Sequence, residues 1–369
     1  MQVGKTVPLI KRHLKIKEHR SIPGSAPGTL VQHVDFVSVP VEITVIAFTE
    51  AVLEEKILQD PEEIIPMLTN YKMLWINVFG LGDVNMLSRL ARILNLNSLA
   101  MEDVLNVPQR PKIEEYDDIV FAIMSEPEIT DDILSLQQIS MFWGKNFVLT
   151  IQERRGDCFI PLISRLKHGD RRQRMLHPGY LAYSMLDAVI DNFFPILELY
   201  GNQLDEIEEK AIDNASTMVI HYIHNFKHNL HLLRRSVWAQ REAMSNFKQV
   251  ASTYSDDIRF FVRDCEDHTI QLIDIVESYR ERTASLMDIY LASVSNRTNR
   301  IVKVLTIMTA IFMPVGVLAS IYGMNFDRSK PGNMPELSWN YGYVFFWFLA
   351  LLMTAVMLFS FWRKGWFKD

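Results

Sequence analysis

The sequence predicts an α+β (α/β-type) N-terminal domain, a long helical stalk and two C-terminal transmembrane helices. Three observations carry that expectation: short strand and helix patterns over residues 41–155, no glycine or proline from Asn202 to Met313, and two charge-free apolar stretches near the C-terminus. Averages hide this division, because 49% of the 369 residues are hydrophobic and 22% charged, as in an ordinary globular chain.

Residues 1–40 are basic, contain Pro23 and Pro27, and read as a loosely ordered arm. Lys5, Lys11, Arg12 and Lys15 stand there without a clean apolar run, so the arm does not read as a secretory signal. Strand-like runs follow at 41–48, 73–78, 119–123, 139–143 and 147–151, with hairpin chemistry at Gly144-Lys145-Asn146. Helical patterns at about 51–69 and 84–106 separate the first of these, giving an α/β or α+β domain over 41–155.

Residues 156–303 form the stalk region. The missing glycine and proline predict helices at about 181–211 and 216–248, and a third from near Ser255 running unbroken into the first span. At 1.5 Å per residue the soluble part of that third helix is roughly 70 Å long. Apolar residues occupy two of its flanks, Cys265, Leu272 and Leu286 on one and Val262, Val276 and Leu291 on the other. Between them runs a small or polar stripe, Gln271, Asp274, Ser278, Glu281, Ser285, Asp288, Ala292, Ser295 and Asn299, at steps of three and four. It continues through Val302, Thr306, Thr309, Met313, Gly316 and Ser320. A ring of such helices encloses a narrow tube, whereas a coiled-coil stalk turns the same stripe to water; the pattern fits both.

No charged side chain occurs from Val304 to Phe326 or from Leu337 to Trp362. About 20 apolar residues cross a hydrocarbon core of roughly 30 Å, so each stretch is long enough to span. The reading is a first span at 304–325, a loop at 326–340, a second span at 341–362 and a basic tail at 363–369. Arg297, Arg300 and Lys303 precede the first span, and Arg363, Lys364 and Lys368 follow the second. The loop sets Arg328 and Lys330 against Asp327 and Glu336, so the basic excess places both termini in the cytosol of a plasma or inner membrane. Cys158 and Cys265 lack any CxxC pairing, and a net charge of -6 argues against a nucleic-acid partner. With no phosphate-binding glycine loop and no nucleophile–base pair, neither a nucleotide nor catalysis is expected.

The first span ends in Tyr322-Gly323-Met324-Asn325, with Met334-Pro335-Glu336-Leu337 a short loop away. Alone, Gly and Asn here would read as ordinary helix punctuation. Together with the segments 101–112, 261–264, 267–271 and 288–291, they make the chain resemble the CorA family of magnesium transporters from about residue 40 onward. The resemblance implies a funnel-shaped homopentamer in the lipid bilayer, with the first span lining a pore. It implies that Gly323, Met324 and Asn325 form the outer mouth and that Asn299, Leu305 and Met313 form constrictions. Thr309 and Ser320 lie on the pore stripe, and Asp288 is a pore-lining acidic residue. Regulatory cation sites between subunits are implied at Asp103 and Asp264, with Glu102 and Asp187 nearby. Mg2+ would be both cargo and regulator, with Co2+ a further cargo.

The residue chemistry agrees. Mg2+ gives up water reluctantly, so a mouth of neutral carbonyl oxygens such as that of Asn325 can hold the hydrated ion without trapping it. The chain departs from the family pattern at Val302, Thr309, Gly316 and Ser320, and by an extra loop segment, 327–333. Preference among Mg2+, Co2+, Ni2+ and Zn2+ is therefore left open, as is a membrane-anchored metal sensor without flux. His221, His224, His228 and His231 share one helical face and read as a solvated or inter-helix stripe rather than a metal site. The run Asp205, Glu206, Glu208, Glu209 and Asp213 reads as a solvated acidic face.

Overall fold

The computed structural model describes residues 24, 26–30, 40–48, 53–156, 158–168, 177–213, 216–251, 256–327, 330 and 332–367. Most of the arm, the start of the third long helix at Ser255, and Arg328 and Lys368 lie outside these. The chain divides into two compact units, residues 1–211 with 216–287, and 212–215 with 288–369.

The first unit is built on a seven-stranded sheet: β1 (Glu42–Phe48), β2 (Leu53–Leu58), β3 (Met73–Phe79), β4 (Lys112–Tyr116), β5 (Ile119–Thr130), β6 (Ile133–Trp143) and β7 (Phe147–Gln152). Their order is β2-β1-β3-β7-β6-β5-β4. Every pairing is antiparallel except β3 with β7, which joins the two halves. Helices α1 (Ile64–Asn70), α2 (Val84–Ile93) and α3 (Ser98–Leu105) cover one face, where Ile64, Leu87 and Val104 meet Ile76, Phe121 and Leu149. On the other side, α5 (Pro178–Asp191) packs on β5, β6 and β7, and α7 (Thr217–Ala251) on β4 and β5. With both faces covered, the central strands are buried along their whole length, which is why they read as continuous apolar runs.

Four expectations need correction. The helical pattern at 51–69 is in fact β2, a short 3-10 turn at Pro61–Glu63, and α1. β4 was not expected at all. Both are edge strands of sequence LEEKIL and KIEEY. Charges on an edge deter pairing with other chains, and they also erase the alternation that marks a strand. The pattern at 84–106 is two helices, broken where Asn95 takes a left-handed φ of 53°. The expected helix at 181–211 breaks at Asn192 into α5 and α6 (Phe193–Asp213), because Pro195 has no N–H to bond the carbonyl of Asp191. Strands β5 and β6 run longer than their apolar cores, joined by Asp131 and Asp132, both with positive φ as a type I′ hairpin requires. A further helix, α4 (Ile160–His168), went unread.

The third long helix is α8 (Asp256–Tyr322), 67 residues without a break despite Pro314. It begins in the first unit and ends in the second. The apolar positions Val262, Cys265, Leu272, Ile273, Val276 and Leu286 are buried, but Leu291 is 56% exposed. In the second unit, α8 and α9 (Gly342–Arg363) are long and apolar enough to cross a membrane, and almost none of either apolar window is buried in the single chain.

Candidate functional site

The polar stripe of α8 is exposed along its length: Gln271, Asp274, Ser278, Glu281, Ser285, Asp288, Ala292, Ser295 and Asn299 all face outward. So do Val302, Thr306, Thr309, Met313, Gly316 and Ser320 beyond them, with Leu305 at 62% and Met313 at 66% exposure. Its hydroxyls within the apolar stretch are satisfied locally. Thr306 Oγ1 donates to the Val302 carbonyl (2.7 Å), Thr309 Oγ1 to Leu305 (2.9 Å) and Ser320 Oγ to Gly316 (2.9 Å). Each proton is used within the helix, so these side chains are tolerated at apolar depth and turn only oxygen lone pairs outward. A stripe of that kind suits water or a hydrated cation.

At the end of α8, the Gly323 N–H still bonds the Ala319 carbonyl (3.0 Å) and that of Met324 the Ile321 carbonyl (3.1 Å). Gly323 is not one of the glycines with a left-handed backbone. Its missing side chain is therefore not explained by a helix-ending turn. A Cβ there would touch only the carbonyls of Ala319 and Ser320, at 3.4 and 3.5 Å, and otherwise face open space. Met324 and Asn325 are exposed beside it. The Tyr322 ring packs against Phe346 of α9, 5.3 Å between centroids, and its hydroxyl donates to Glu336 (3.4 Å), which ties the motif to the segment after it.

The acidic residues fall into two groups. At the end of α3, Asp103 pairs with Lys112 of β4 at 2.8 Å, and Glu102 accepts from the Gly28 N–H at 2.6 Å. Lys112 also holds Glu114 (2.7 Å). Burial works against its charge, but the two carboxylates outweigh that and lift its pKa above the usual lysine value. In the other group, α5 and α8 bring together Asp187, Asp191 and His268, whose ligand atoms lie within 4.8 Å of one another. His268 Nδ1 stands 3.5 Å from Asp187 and 3.2 Å from Asp191. The Cys265 thiol donates to Asp187 at 3.6 Å and is kept protonated by its own burial. Burial also raises the pKa of Asp187, and the Asp191 charge adds to it. Asp264 is exposed and close enough to raise that pKa slightly further. Asp187 and Asp264 thus share one neighbourhood, whereas Asp103 is paired with Lys112 instead. Asp191 and His268 were missed as candidates, although each stands four residues beyond a named one, Asp187 and Asp264, on the same helix face.

The histidine face of α7 is solvated at His221, His224 and His231 and half-buried at His228. Arg282 of α8 holds Asp205 (2.7 Å) and Glu208 (3.0 Å), so part of the acidic run is paired across helices rather than free.

An α/β domain carried on a helix that runs on into an apolar stretch, with a second apolar helix after it, fits the class of two-span membrane proteins. The family described as CorA-like Mg2+ transporter protein matches residues 70–364. The chain is 34% identical over 350 residues to the cobalt/magnesium transport protein CorA of Thermotoga maritima, covering 93% of this chain and 97% of that one. Its fold matches the complete structure of the CorA magnesium transporter from Methanocaldococcus jannaschii with a TM-score of 0.70 at 22% identity, over 89% and 99% of the two chains. The full-length CmaX protein shares the fold at a TM-score of 0.63 and 17% identity, over 88% and 96%. The chain belongs to the CorA family.

Proposed function

We propose that this chain forms a homopentameric, channel-like path for Mg2+, and for Co2+ as a further cargo, with α8 lining the pore and α9 outside it. One observation carries the reading: the stripe of small and polar residues does not stop where α8 becomes apolar, but continues to Gly323-Met324-Asn325. A metal sensor without flux needs no such stripe inside a span. Asn325 and the backbone beside Gly323 hold the hydrated ion at the outer mouth. Leu305 and Met313 close the path by excluding water, Asn299 narrows it at the cytosolic end, and Thr309 and Ser320 present oxygen along it. A doubly charged ion gains about 4.6 kcal/mol per 100 mV, so the membrane potential suffices to drive uptake.

On the cytosolic side, Asp103 and Asp264 of neighbouring subunits, assisted by Glu102 and Asp187, take up Mg2+ when it is plentiful and hold the ring closed. Asp288 lies at the acidic start of the pore. The imidazole of His268 beside Asp187 and Asp191 favours a second reading, in which this region senses Co2+ or Zn2+ rather than Mg2+. Uptake into proteoliposomes tests the transport reading. Wild-type protein is expected to take up Mg2+ and Asn325→Ala to lose it while still assembling. Near-normal uptake by an assembled Asn325→Ala protein would refute the proposed mouth.

A further inference from the structure

We propose that His221 and His224, on the exposed face of α7, chelate a borderline divalent ion of the Ni2+, Co2+ and Zn2+ class, at a site apart from the acidic groups on α3, α5 and α8. α7 is an unbroken helix of 35 residues with neither glycine nor proline. At 3.6 residues per turn, His221, His224, His228 and His231 fall within an arc of about 80°. Side chains three or four residues apart on a helix are neighbours, and two ligands at that spacing can grip one metal ion, as in Glu-x-x-His and His-x-x-x-His sites. Packing between helices does not use up this face. His221, His224 and His231 are exposed, and only His228 is half-buried, with a partner of its own. Neither His221 nor His224 forms a hydrogen bond or ion pair among the described residues, so both imidazoles are open to an incoming ion.

Charge selects one end of the face. α6 and α7 lie antiparallel, since Tyr200 meets Phe226 at 5.1 Å between ring centroids. Counting about 1.5 Å per residue from that contact, Asp205 and Glu206 stand level with His221, and Glu208 and Glu209 just beyond it. Arg282 holds Asp205 and Glu208, and Lys210 holds Glu206. Glu209 is exposed and has no ion pair among the described residues. The other end is basic. Lys227 is exposed, and partial burial first, then the charges of Arg280, Lys227 and Arg234, hold the His231 imidazole below its ordinary pKa. A cation is therefore drawn to the His221–His224 pair and kept from His231. Neutral imidazole nitrogens suit Ni2+, Co2+ and Zn2+, whereas Mg2+ takes carboxylate, carbonyl and water oxygens. Binding at this pair is independent of which ion passes the membrane.

The test uses the full-length protein in detergent, without a polyhistidine tag, and carrying His268→Gln so that the cluster of α5 and α8 supplies no nitrogen ligand. Ni2+ is titrated by calorimetry. In that background His221→Gln and His224→Gln should each weaken the Ni2+ site by about tenfold or more, because the second imidazole, held one turn away, acts at a high effective concentration. His231→Gln should leave the site unchanged, and a large excess of Mg2+ should not displace Ni2+. The three side chains are exposed, so the variants probe binding rather than folding. Ni2+ binding that survives both substitutions, that is lost equally in His231→Gln, or that Mg2+ displaces would overturn the proposal.

Discussion

Lys112 shows how one side chain sets the terms for a neighbouring carboxylate. Its ammonium stands 2.8 Å from Asp103, in a pair that is about a quarter to a third exposed. Any divalent ion taken up at Asp103 must displace or share that contact. A partly exposed pair of this kind is worth up to about 1 kcal/mol. Lys112→Ala should therefore strengthen divalent binding at Asp103 by up to about fivefold. The check is the Mg2+ concentration that half-protects the cytosolic unit from protease. An unchanged midpoint would mean that Asp103 is not a ligand. Asn325 illustrates the opposite case: exposed, and held by no partner among the described residues, it keeps its carbonyl available to an ion.

At the scale of the element, α8 carries two demands at once. Within the first unit it buries Val262, Leu272, Val276 and Leu286, while its other face carries the stripe. Replacing Met313 by Asp, or Leu305 by Ser, puts a wettable group where a dry constriction is proposed. Both changes should raise leak in voltage-clamped bilayers, Met313→Asp more than Leu305→Ser. If neither alters conductance, the narrow points lie on another face of α8. The edge strands teach a complementary lesson about legibility. The central strands were read from apolar runs that burial on both faces demands. β2 and β4 escaped because an edge is kept soluble by Glu and Lys, which also populate helices.

At the scale of the whole molecule, two expectations concern orientation and coupling. Both spans have basic flanks at the ends proposed to be cytosolic, and the native cysteines, Cys158 and Cys265, are buried. Lys330→Cys should therefore react with an impermeant thiol reagent on intact cells, and Lys364→Cys only after permeabilisation; the reverse pattern would invert the topology. For coupling, Mg2+ bound between subunits must favour the closed ring over the open one. Asp103→Asn with Asp264→Asn removes both the ligand and the repulsion between the carboxylates. The double variant should show weaker inhibition by internal Mg2+, and less protection from protease, without a permanently open pore. Full protection together with unchanged inhibition would place the sensor elsewhere.

What the sequence determined by itself was whatever depends on local composition over long stretches. The two spans follow from the absence of charge, the long helices from the absence of glycine and proline, and the stripe from steps of three and four. The Gly-Met-Asn motif could be read because it marks the end of one such stretch. Only the tertiary structure decided which groups meet across elements. Asp187 and Asp191 on α5 meet His268 on α8, Asp103 meets Lys112, and Arg282 meets Asp205 and Glu208. It also showed that Gly323 is not a left-handed turn glycine, whereas Gly365 is. The physical reason is one of range. Hydropathy and backbone propensity act over a few residues and are written along the chain, while a pairing of charges depends on how helices pack onto the sheet, which no window of sequence contains.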